Sequence, residues 1–494
     1  MARSALIGPL RSTTIDTHPL RGKREGMKNR SIVAIAVLAA GLTACSSGGS
    51  DKADTTAETQ VAVTEVAVAD PATDAATDAT TNAATETAAM ESTTPAPAAA
   101  PATGELEIFS WWTSGSEHAA LEKLFAATTS KNPDVKIVDA AIAGGAGTNA
   151  KQVLATRLSS GDTPATWQTH AGGALVDFVT QGVTVDLTDL YAEQKWADVL
   201  PKPLLDSMTV DGKIMGVATG AHRGNLLFYN KAVLEKAGVT LGASTSWADL
   251  EAAAAKIKAT AVAPLCLGDK DVWTDVTLLE NIIIGDVGAA AWNGLLDGSV
   301  KWSDPKVAAA VEHFKTALTW AQEDHQSQDW TGAVAALAEG KCAFNSMGDW
   351  AYGELLVKQQ KVDGKDFSAT IIGDANTFAT VTDVFVVGKG SKNEAAAVAW
   401  MKALMEPTAQ VEFGKLKGAS PVRTDVDLSS YGPIGQMNAK TLSTGTLVPS
   451  LVQDSALTTK GATQAFSDAV TLLVANGDAT AFGKAMDAAI GAKP

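Results

Sequence analysis

Cysteine is scarce in this chain, which excludes disulfide-dense scaffolds and the common cysteine-based metal sites. Only three cysteines occur in 494 residues, and no CxxC motif or Cys/His cluster is present. Cys266 and Cys342 could pair in an exported protein, but we expect buried free thiols instead. We therefore predict no metal ion and no cofactor.

Basic residues are fewer than acidic ones, 39 against 55, and the formal net charge is -16. Nucleic-acid binding needs clustered Lys and Arg to neutralise phosphates, so this balance argues against a nucleic-acid partner. Enzyme signatures are also lacking: no GxSxG, HExxH or P-loop pattern occurs, and the glycines of residues 144–147 lack GxGxxG spacing. We predict a protein that is not an enzyme, although the many carboxylates leave a glycosidase pair open.

The apolar run at residues 32–42 is shorter than the roughly 20 residues that a membrane-spanning helix needs. It follows basic residues after Met27 and ends in Leu-Thr-Ala before Cys45, which resembles a bacterial lipoprotein signal. The pattern predicts a signal peptide over residues 1–44, with Met27 as the true start. Cleavage before Cys45 and lipidation of its thiol would anchor the protein to the cell membrane.

Aromatic residues are absent from residues 46–103, which are rich in Ala, Thr, acidic residues and Pro. Such a segment cannot bury enough apolar surface to offset the entropy of ordering it. We interpret residues 45–103 as a lipidated cysteine followed by a disordered tether. The globular part then covers residues 104–494, a length of about two typical domains.

Tyrosine is rare, with four residues, whereas tryptophan reaches 12. The chain is organised around residues 106–125, in which a short alternating strand ends at Trp111 and Trp112 and Glu117 opens a helical pattern. Ligands of open α/β folds bind at the carboxyl ends of strands. A flat indole suits the C–H face of a sugar; either tryptophan alone fits a core position equally well, but the pair at this corner favours a ligand role.

Strand and helix patterns alternate along the globular part, which predicts an α/β fold with a mainly parallel sheet covered by helices on both faces. A helix is predicted from Asn230, an N-cap, to Gly238, and another at residues 247–259. A strand is predicted at residues 382–387, and residues 411–424 are predicted to be irregular.

Several stretches together resemble the family 1 extracellular solute-binding proteins of bacterial ABC sugar importers, and most closely the glucose/mannose-binding proteins. They read EIFSWWTSGSE, GGAGTNAKQVLATRL, TWQTHAGG, HRGNLLFYNK, MGDW and KLKGAS. The resemblance implies a two-lobe periplasmic-binding-protein (type II) α/β fold, with hinge-crossing strands and a ligand cleft between the lobes. Lobe 1 would comprise approximately residues 104–220 and 377–425, and lobe 2 residues 221–376 and 426–494.

The resemblance also implies which residues contact the sugar. Gln453 stands where close relatives carry a histidine. The implied contacts are Trp111, Trp112, Glu117, Gln168, His170, Trp273, Trp292, Asp349, Lys417 and Gln453.

These residue types suit carbohydrate chemistry, because carboxylates accept bonds from neighbouring hydroxyls and a neutral histidine both donates and accepts. Structural alternatives exist for each: Asp349 could cap a helix, His170 could be a satisfied core residue, and Lys417 could be a solvated loop charge. His222 and Arg223 are interpreted as a structural pair near the hinge. Three further tryptophans are expected in the core: Trp167, Trp320 and Trp400.

The function implied by the resemblance is capture of a glucose- or mannose-like monosaccharide by a monomeric lipoprotein. The protein would deliver the sugar to a membrane permease that works with an ATPase. The alternatives are another sugar or an oligosaccharide as ligand, a sugar sensor, and, less favoured, a secreted carbohydrate-active enzyme.

Overall fold

Two mixed β-sheets with helices around them form the framework of the protein. The computed structural model describes residues 102–113, 115–451 and 460–491. The predicted signal peptide, the lipidation site Cys45, most of the tether and Gln453 lie outside these residues. No helix within the described ranges is long and apolar enough to cross a membrane.

Thirteen strands occur in the described ranges, β1 to β13 in chain order. They are Gly104–Phe109, Val135–Asp139, Thr166–His170, Thr209–Val210, Lys213–Ile214, Val217–Arg223, Leu226–Asn230, Ser244–Thr245, Ala263–Leu265, Cys342–Met347, Phe367–Ile372, Thr377–Val387 and Thr446–Pro449.

Sixteen α-helices, α1 to α16, accompany the strands in the same part of the chain. They are Gly115–Lys131, Thr148–Ser159, Gly173–Thr180, Thr188–Gln194, Lys202–Ser207, Lys231–Lys236, Trp247–Lys258, Trp273–Asp297, Pro305–Leu318, Trp330–Glu339, Trp350–Val357, Glu394–Leu404, Pro407–Lys417, Pro433–Thr444, Lys460–Asn476 and Ala479–Gly491. The helix α8 breaks at Gly288, whose φ is 81°.

Both sheets are mixed: among the described residues the first sheet has three parallel and two antiparallel strand pairs, so parallel pairing predominates there but is interrupted at β12. The first sheet has the order β13-β12-β3-β1-β2, with β6 also pairing with β12, and the second has the order β8-β11-β7-β10-β9. The strands β1, β2 and β3 pair in parallel, but β12 is antiparallel to both β3 and β6. The chain enters the long strand β12 on its return from the second sheet. This strand therefore runs in the opposite direction to β3 and β6.

The chain passes between the sheets at two short crossings. Only Gly224 and Asn225 separate β6 of the first sheet from β7 of the second, and residues 373–376 separate β11 from β12. Arg223 ties the two crossings together, because its Nη2 donates to the carbonyls of Ala375 and Thr377 at 2.7 Å each. This arrangement confirms the two-lobe fold with crossing strands, whereas the predicted lobe limits remain a prediction.

Local sequence signals explain several helix boundaries. Asn230 caps α6 by accepting from the Val233 N–H, as predicted, and Gly238 follows the helix with a φ of 64°. Residues 411–417, predicted to be irregular, are the end of α13. Gly414 weakens the helical pattern of that stretch, but it is buried and leaves space for the close approach of Tyr431.

Hydrophobic cores accompany both sheets. The core around the first sheet contains Trp167, Phe385 and Trp400, and that around the second contains Trp247 and Trp320. The core positions predicted for Trp167, Trp320 and Trp400 are therefore confirmed. Each tryptophan buries a large apolar surface, which makes these side chains major contributors to core stability.

Cys266 and Cys342 form a disulfide, so the expectation of free thiols is wrong. Their Cα atoms lie 5.4 Å apart. The pairing follows from the second sheet, because Cys342 begins β10 and Cys266 directly follows β9, which runs parallel to β10. The two residues are 76 positions apart, so only the register of the strands brings them together.

Replacing both cysteines, as Cys266→Ala with Cys342→Ala, is expected to lower the free energy of unfolding by about 3 kcal/mol, because the disulfide restricts the unfolded chain. Urea denaturation of the oxidised protein and of the double variant would measure the difference. Reductant should destabilise the natural chain and leave the double variant unchanged. Equal stability of all forms would contradict the expectation.

Candidate ligand-binding site

A cavity of about 610 Å³ is walled by elements from both sheets. On the side of the first sheet, its walls come from the ends of β1 and β3, the loop after β2, and β12. On the side of the second sheet, they come from the first turns of α8, α10 and α11. Carboxyl ends of strands and amino ends of helices therefore meet at one place, as expected for an α/β ligand site.

Five tryptophans line the cavity, and one of them, Trp330, is partly exposed. The other four contribute buried indole rings to the wall: Trp111, Trp112, Trp273 and Trp350. All four are less than a tenth exposed. Trp111 packs on the His170 ring with the ring centres 5.3 Å apart, and Trp273 packs near Trp350 at 6.2 Å. The aromatic surfaces therefore stand on both sides of the cavity.

Asp383 is a buried carboxylate of the cavity wall. In the antiparallel pair β3–β12 it lies opposite His170, and its Oδ1 accepts from Gln168 Nε2 at 2.8 Å. Gln168 in turn accepts from the Trp111 N–H at 3.3 Å. Gln168 does not line the cavity; it holds Asp383 and Trp111 in place from behind.

His170 lines the cavity as a neutral ring. Burial, together with the positive charge of Lys151, lowers the pKa of His170 to about 3. Its Nε2 lies 3.5 Å from Asp383 Oδ1, and its Nδ1 has no hydrogen-bond partner among the described residues. Trp273 Nε1 is likewise buried without a partner in that part of the chain. Two polar groups of the wall are thus left for a ligand to satisfy.

Lys417 and Glu117 form an ion pair in the wall, with Lys417 Nζ 2.8 Å from Glu117 Oε1. The lysine is 2 % exposed, and its ammonium lies 5.2 Å from the ring centre of Trp112 and 6.0 Å from that of Trp350. Lys417 is the last residue of α13, so the alternative of a solvated loop charge is wrong. The pair holds a donor and an acceptor next to two aromatic faces.

Asp349 lies behind the wall rather than in it. Its side chain is fully buried, contacts His222 Nδ1 through Oδ1, and accepts from the Arg223 N–H at 2.9 Å through Oδ2. It stands at the N-cap position of α11 but makes no side-chain cap bond, so the capping alternative is also wrong. The His222–Arg223 pair is placed at the crossing between the sheets, as interpreted from the sequence.

Charge balance keeps Asp383 ionised. Burial alone would raise the pKa of Asp383, but the proximity of His222 and the positive charge of Lys417 outweigh it and hold the pKa well below its usual range. Across the cavity, burial raises the pKa of Glu354 above its usual value. Asp383 therefore presents an ionised acceptor to the cavity.

The structure brings six of the ten predicted contacts to the cavity wall: Trp111, Trp112, Glu117, His170, Trp273 and Lys417. Gln168 and Asp349 lie behind the wall, and Gln453 falls outside the described residues. Trp292 is placed in the second core, where its Nε1 donates to the Pro449 carbonyl at 2.9 Å and its ring packs on Trp302. The implied sugar contact of Trp292 is therefore not supported by its position.

Most of the other wall residues were missed from the sequence, and two of them, Asp383 and Trp350, matter most for the proposed ligand contacts. Asp383 carries a signal that could have found it, because it is a single carboxylate inside the apolar run of β12. Trp350 belongs to the MGDW motif, in which the neighbouring Asp349 was assigned the role instead. A strand end exposes one side chain and buries the next, and sequence spacing alone did not show which.

A model of the bacterial extracellular solute-binding protein family matches residues 112–411. An uncharacterized ABC transporter extracellular-binding protein of Pyrococcus horikoshii is 30% identical, over 72% of this chain and 80% of that protein. A probable sugar-binding periplasmic protein of Rhizobium meliloti is 30% identical, over 72% and 86% respectively.

Among solved structures, a chitin oligosaccharide binding protein superimposes with a TM-score of 0.69 at 18% identity, covering 79% of this chain and 98% of that one. At this identity the likeness concerns the fold, and it agrees with the two sheets and the crossings described above. The family match covers more than half of the chain and includes most of the cavity wall. This chain belongs to the bacterial extracellular solute-binding proteins.

Proposed function

We propose that the protein binds a sugar in this cavity and delivers it to the permease of an ABC import system. The proposed ligand is a glucose- or mannose-like monosaccharide, released unchanged rather than chemically converted. The protein would act outside the cytoplasm as a monomer, anchored to the cell membrane by lipidated Cys45. The permease and its ATPase are the proposed partners.

The observation that carries the sugar proposal is the combination of indole faces and charged acceptors in one cavity. Flat apolar surfaces for sugar C–H faces come from Trp111, Trp112, Trp273 and Trp350. The carboxylate of Asp383 can accept hydrogen bonds from sugar hydroxyls. A cavity of this size, which combines aromatic surfaces with placed polar and charged groups, falls within the range of small-molecule sites. The names of the Rhizobium and chitin-binding relatives agree with a carbohydrate ligand.

The walls come from both sheets, which supports a cycle of opening and closing. A ligand that touches both sides makes more contacts in the closed form than in the open one. It therefore shifts the population towards closure by that difference in binding free energy. Closure would present the surface that a permease recognises.

An oligosaccharide is the second candidate ligand, and the extent of the cavity favours it. Beyond the indole rings, the wall continues to Lys270, Asp271 and Asp329 at the amino ends of α8 and α10. A second sugar ring could contact these charged groups while the first occupies the inner part near Asp383.

Calorimetry of the purified protein against glucose, mannose, galactose, xylose, maltose and N,N′-diacetylchitobiose would test the proposal. Tight binding of glucose or mannose is expected, and preference for a disaccharide would favour the second candidate. Heat from none of the sugars would contradict sugar binding. Chromatography of the recovered sugar should show it unchanged, and turnover would indicate an enzyme.

Gly145→Ala is expected to weaken sugar binding about 10- to 100-fold, since overpacking typically costs 1–3 kcal/mol. An alanine Cβ would lie 2.7 Å from Trp273 Nε1 and 3.2 Å from Asp271 Oδ2, across the cavity from the first sheet. Gly145 does not have a positive φ, so the backbone accepts alanine and the added methyl acts through its contact with Trp273.

Titration calorimetry and thermal denaturation would together measure this effect. Gly242→Ala is a matched control, because the nearest atom to its added Cβ is 3.5 Å away and its φ is also not positive. Unchanged affinity of a folded Gly145→Ala protein would contradict a contact between the loop and Trp273 in the bound form.

A further inference from the structure

His222 is a buried histidine that lies between two carboxylates from different sheets. It belongs to β6, the strand that leads into the first crossing, and none of its surface is exposed. Its Nδ1 contacts Oδ1 of Asp349, a residue that follows β10 of the second sheet. Its Nε2 lies 3.2 Å from Asp383 Oδ2 in β12 of the first sheet. His222 itself does not line the cavity.

We propose that His222 is a positioning residue: as an imidazolium it holds Asp383 ionised and aimed at the sugar, and it links this carboxylate to Asp349 of the other sheet. The inference rests on the proposed sugar binding. It assigns to the histidine of the HRGN stretch a role in ligand affinity beyond that of a structural pair at the hinge.

Both ring nitrogens face a carboxylate: Nδ1 is hydrogen-bonded to Asp349, whereas Nε2 lies at ion-pair distance from Asp383 without an aligned hydrogen bond. A neutral imidazole has one N–H and one lone pair, so one of the two facing carboxylates would meet a lone pair. Burial and the charge of Lys417 disfavour the cation, but Asp349 and Asp383 outweigh them and raise the pKa of His222 overall. The charged ring can then donate towards both carboxylates.

The other groups around Asp349, His222 and Asp383 do not replace the positive charge of the His222 ring. Asp349 also meets the Arg223 N–H and, at 3.4 Å, the Asn438 amide, both uncharged donors. Lys417 is engaged with Glu117, and the Trp350 ring meets the His222 ring edge to face at 5.7 Å.

On the side of Asp383, the nearby groups are also poor substitutes. Gln168 supplies a neutral hydrogen bond, His170 is neutral at pH 7, and Lys151 acts only through its charge over the Trp111 ring. Without His222, two buried carboxylates would face each other through a gap. Like charges in a buried site raise the pKa of one of them, so Asp383 would take up a proton in mild acid.

A protonated Asp383 is a weaker partner for sugar hydroxyls, because one of its oxygens becomes a donor. Loss of His222 therefore predicts two effects on affinity. Binding weakens at neutral pH because Asp383 is less well held, and it weakens further as the pH falls. The natural protein keeps Asp383 ionised, so it should not show this additional loss.

The test is sugar affinity of the full chain between pH 4.5 and 8.5, for the natural protein and for His222→Gln. The measured quantity is the ratio of natural to variant affinity, because other titrating groups near the site, such as Lys151 and Glu354, are common to both proteins. This ratio should be at least ten at pH 8 and should rise about tenfold per pH unit once Asp383 protonates in the variant. His313→Gln is the control, because His313 pairs with Asp286 away from the cavity; its profile should follow the natural one. A folded His222→Gln protein with the natural pH profile would overturn the proposal.

A neutron crystal structure of the natural protein near pH 8 supplies a second measurement that needs no variant. Deuterium on both ring nitrogens of His222 is expected, and deuterium on only one would overturn the proposal. Failure of the natural protein to bind any sugar would instead refute the proposed function, while the protonation of His222 would still be read from the neutron map.

Discussion

Asp383→Asn is expected to lower sugar affinity on the order of 1,000-fold, because hydrogen bonds to a charged group contribute about 1.5–3 kcal/mol each and Asp383 can serve two hydroxyls. The substitution keeps the shape of the side chain but replaces one acceptor oxygen with a donor NH2. Gln168 Nε2 already donates to Oδ1, and His222 Nε2 faces Oδ2. Whichever way the amide turns, a donor meets a donor.

Calorimetry with the tightest-binding sugar would measure this loss, and thermal denaturation would show whether the variant is folded. Asp198→Asn is a suitable control because Asp198 is exposed and far along the chain from the cavity residues. A folded Asp383→Asn protein that binds within tenfold of the natural affinity would mean that the sugar does not use this carboxylate.

The second large effect concerns stability. Asp349→Ala is expected to lower the free energy of unfolding by about 3–5 kcal/mol, since removing one partner of a buried ion pair leaves the other charge uncompensated. Here the partner is His222, and the Arg223 N–H also loses its acceptor. The cavity left by the side chain adds to the cost.

Urea denaturation at pH 7 would measure the change. Asp198→Ala should alter stability by no more than about 0.5 kcal/mol, as surface substitutions usually do. Asp349→Asn, which keeps the volume and one acceptor, should fall between the two. If the Asp349→Ala protein has the same free energy of unfolding as the natural protein, the buried contacts of Asp349 contribute nothing to stability.

The strand-to-helix corner was predictable from the sequence because all its signals are local. The alternation of β1, the tryptophan pair at its end and the acidic first turn of α1 lie within twenty residues. Five of the six family motif stretches contribute residues to the cavity wall, including Lys417 at the end of α13, whereas HRGNLLFYNK lies at the crossing between the sheets.

The two aspartates were harder to assign for a physical reason. Both follow or interrupt an apolar strand, and a strand turns successive side chains to opposite faces. In β12 the pairing with β6 shifts between Asp383 and Val384, and such a bulge re-aims a side chain. Asp383 therefore reaches the cavity, while Asp349 turns back to the crossing strand.

Trp292 illustrates the same limit for aromatic residues. Trp273 and Trp292 both belong to α8, but only the first turn of this helix reaches the cavity. Beyond it the helix packs against the second sheet and α9, so Trp292 is enclosed in the core. The family resemblance implied a sugar contact at both positions, and only the path of the helix separates them.

The sequence by itself determined the fold family, the acidic and tryptophan-rich character of the chain, the caps of its helices and the corner that carries Trp111 and Trp112. These properties depend on neighbours within a few turns of the chain. Only the tertiary structure decided that Cys266 pairs with Cys342, and that Asp383 rather than Asp349 faces the cavity. Those outcomes depend on strand register and on crossings between two sheets, where residues far apart in the chain meet.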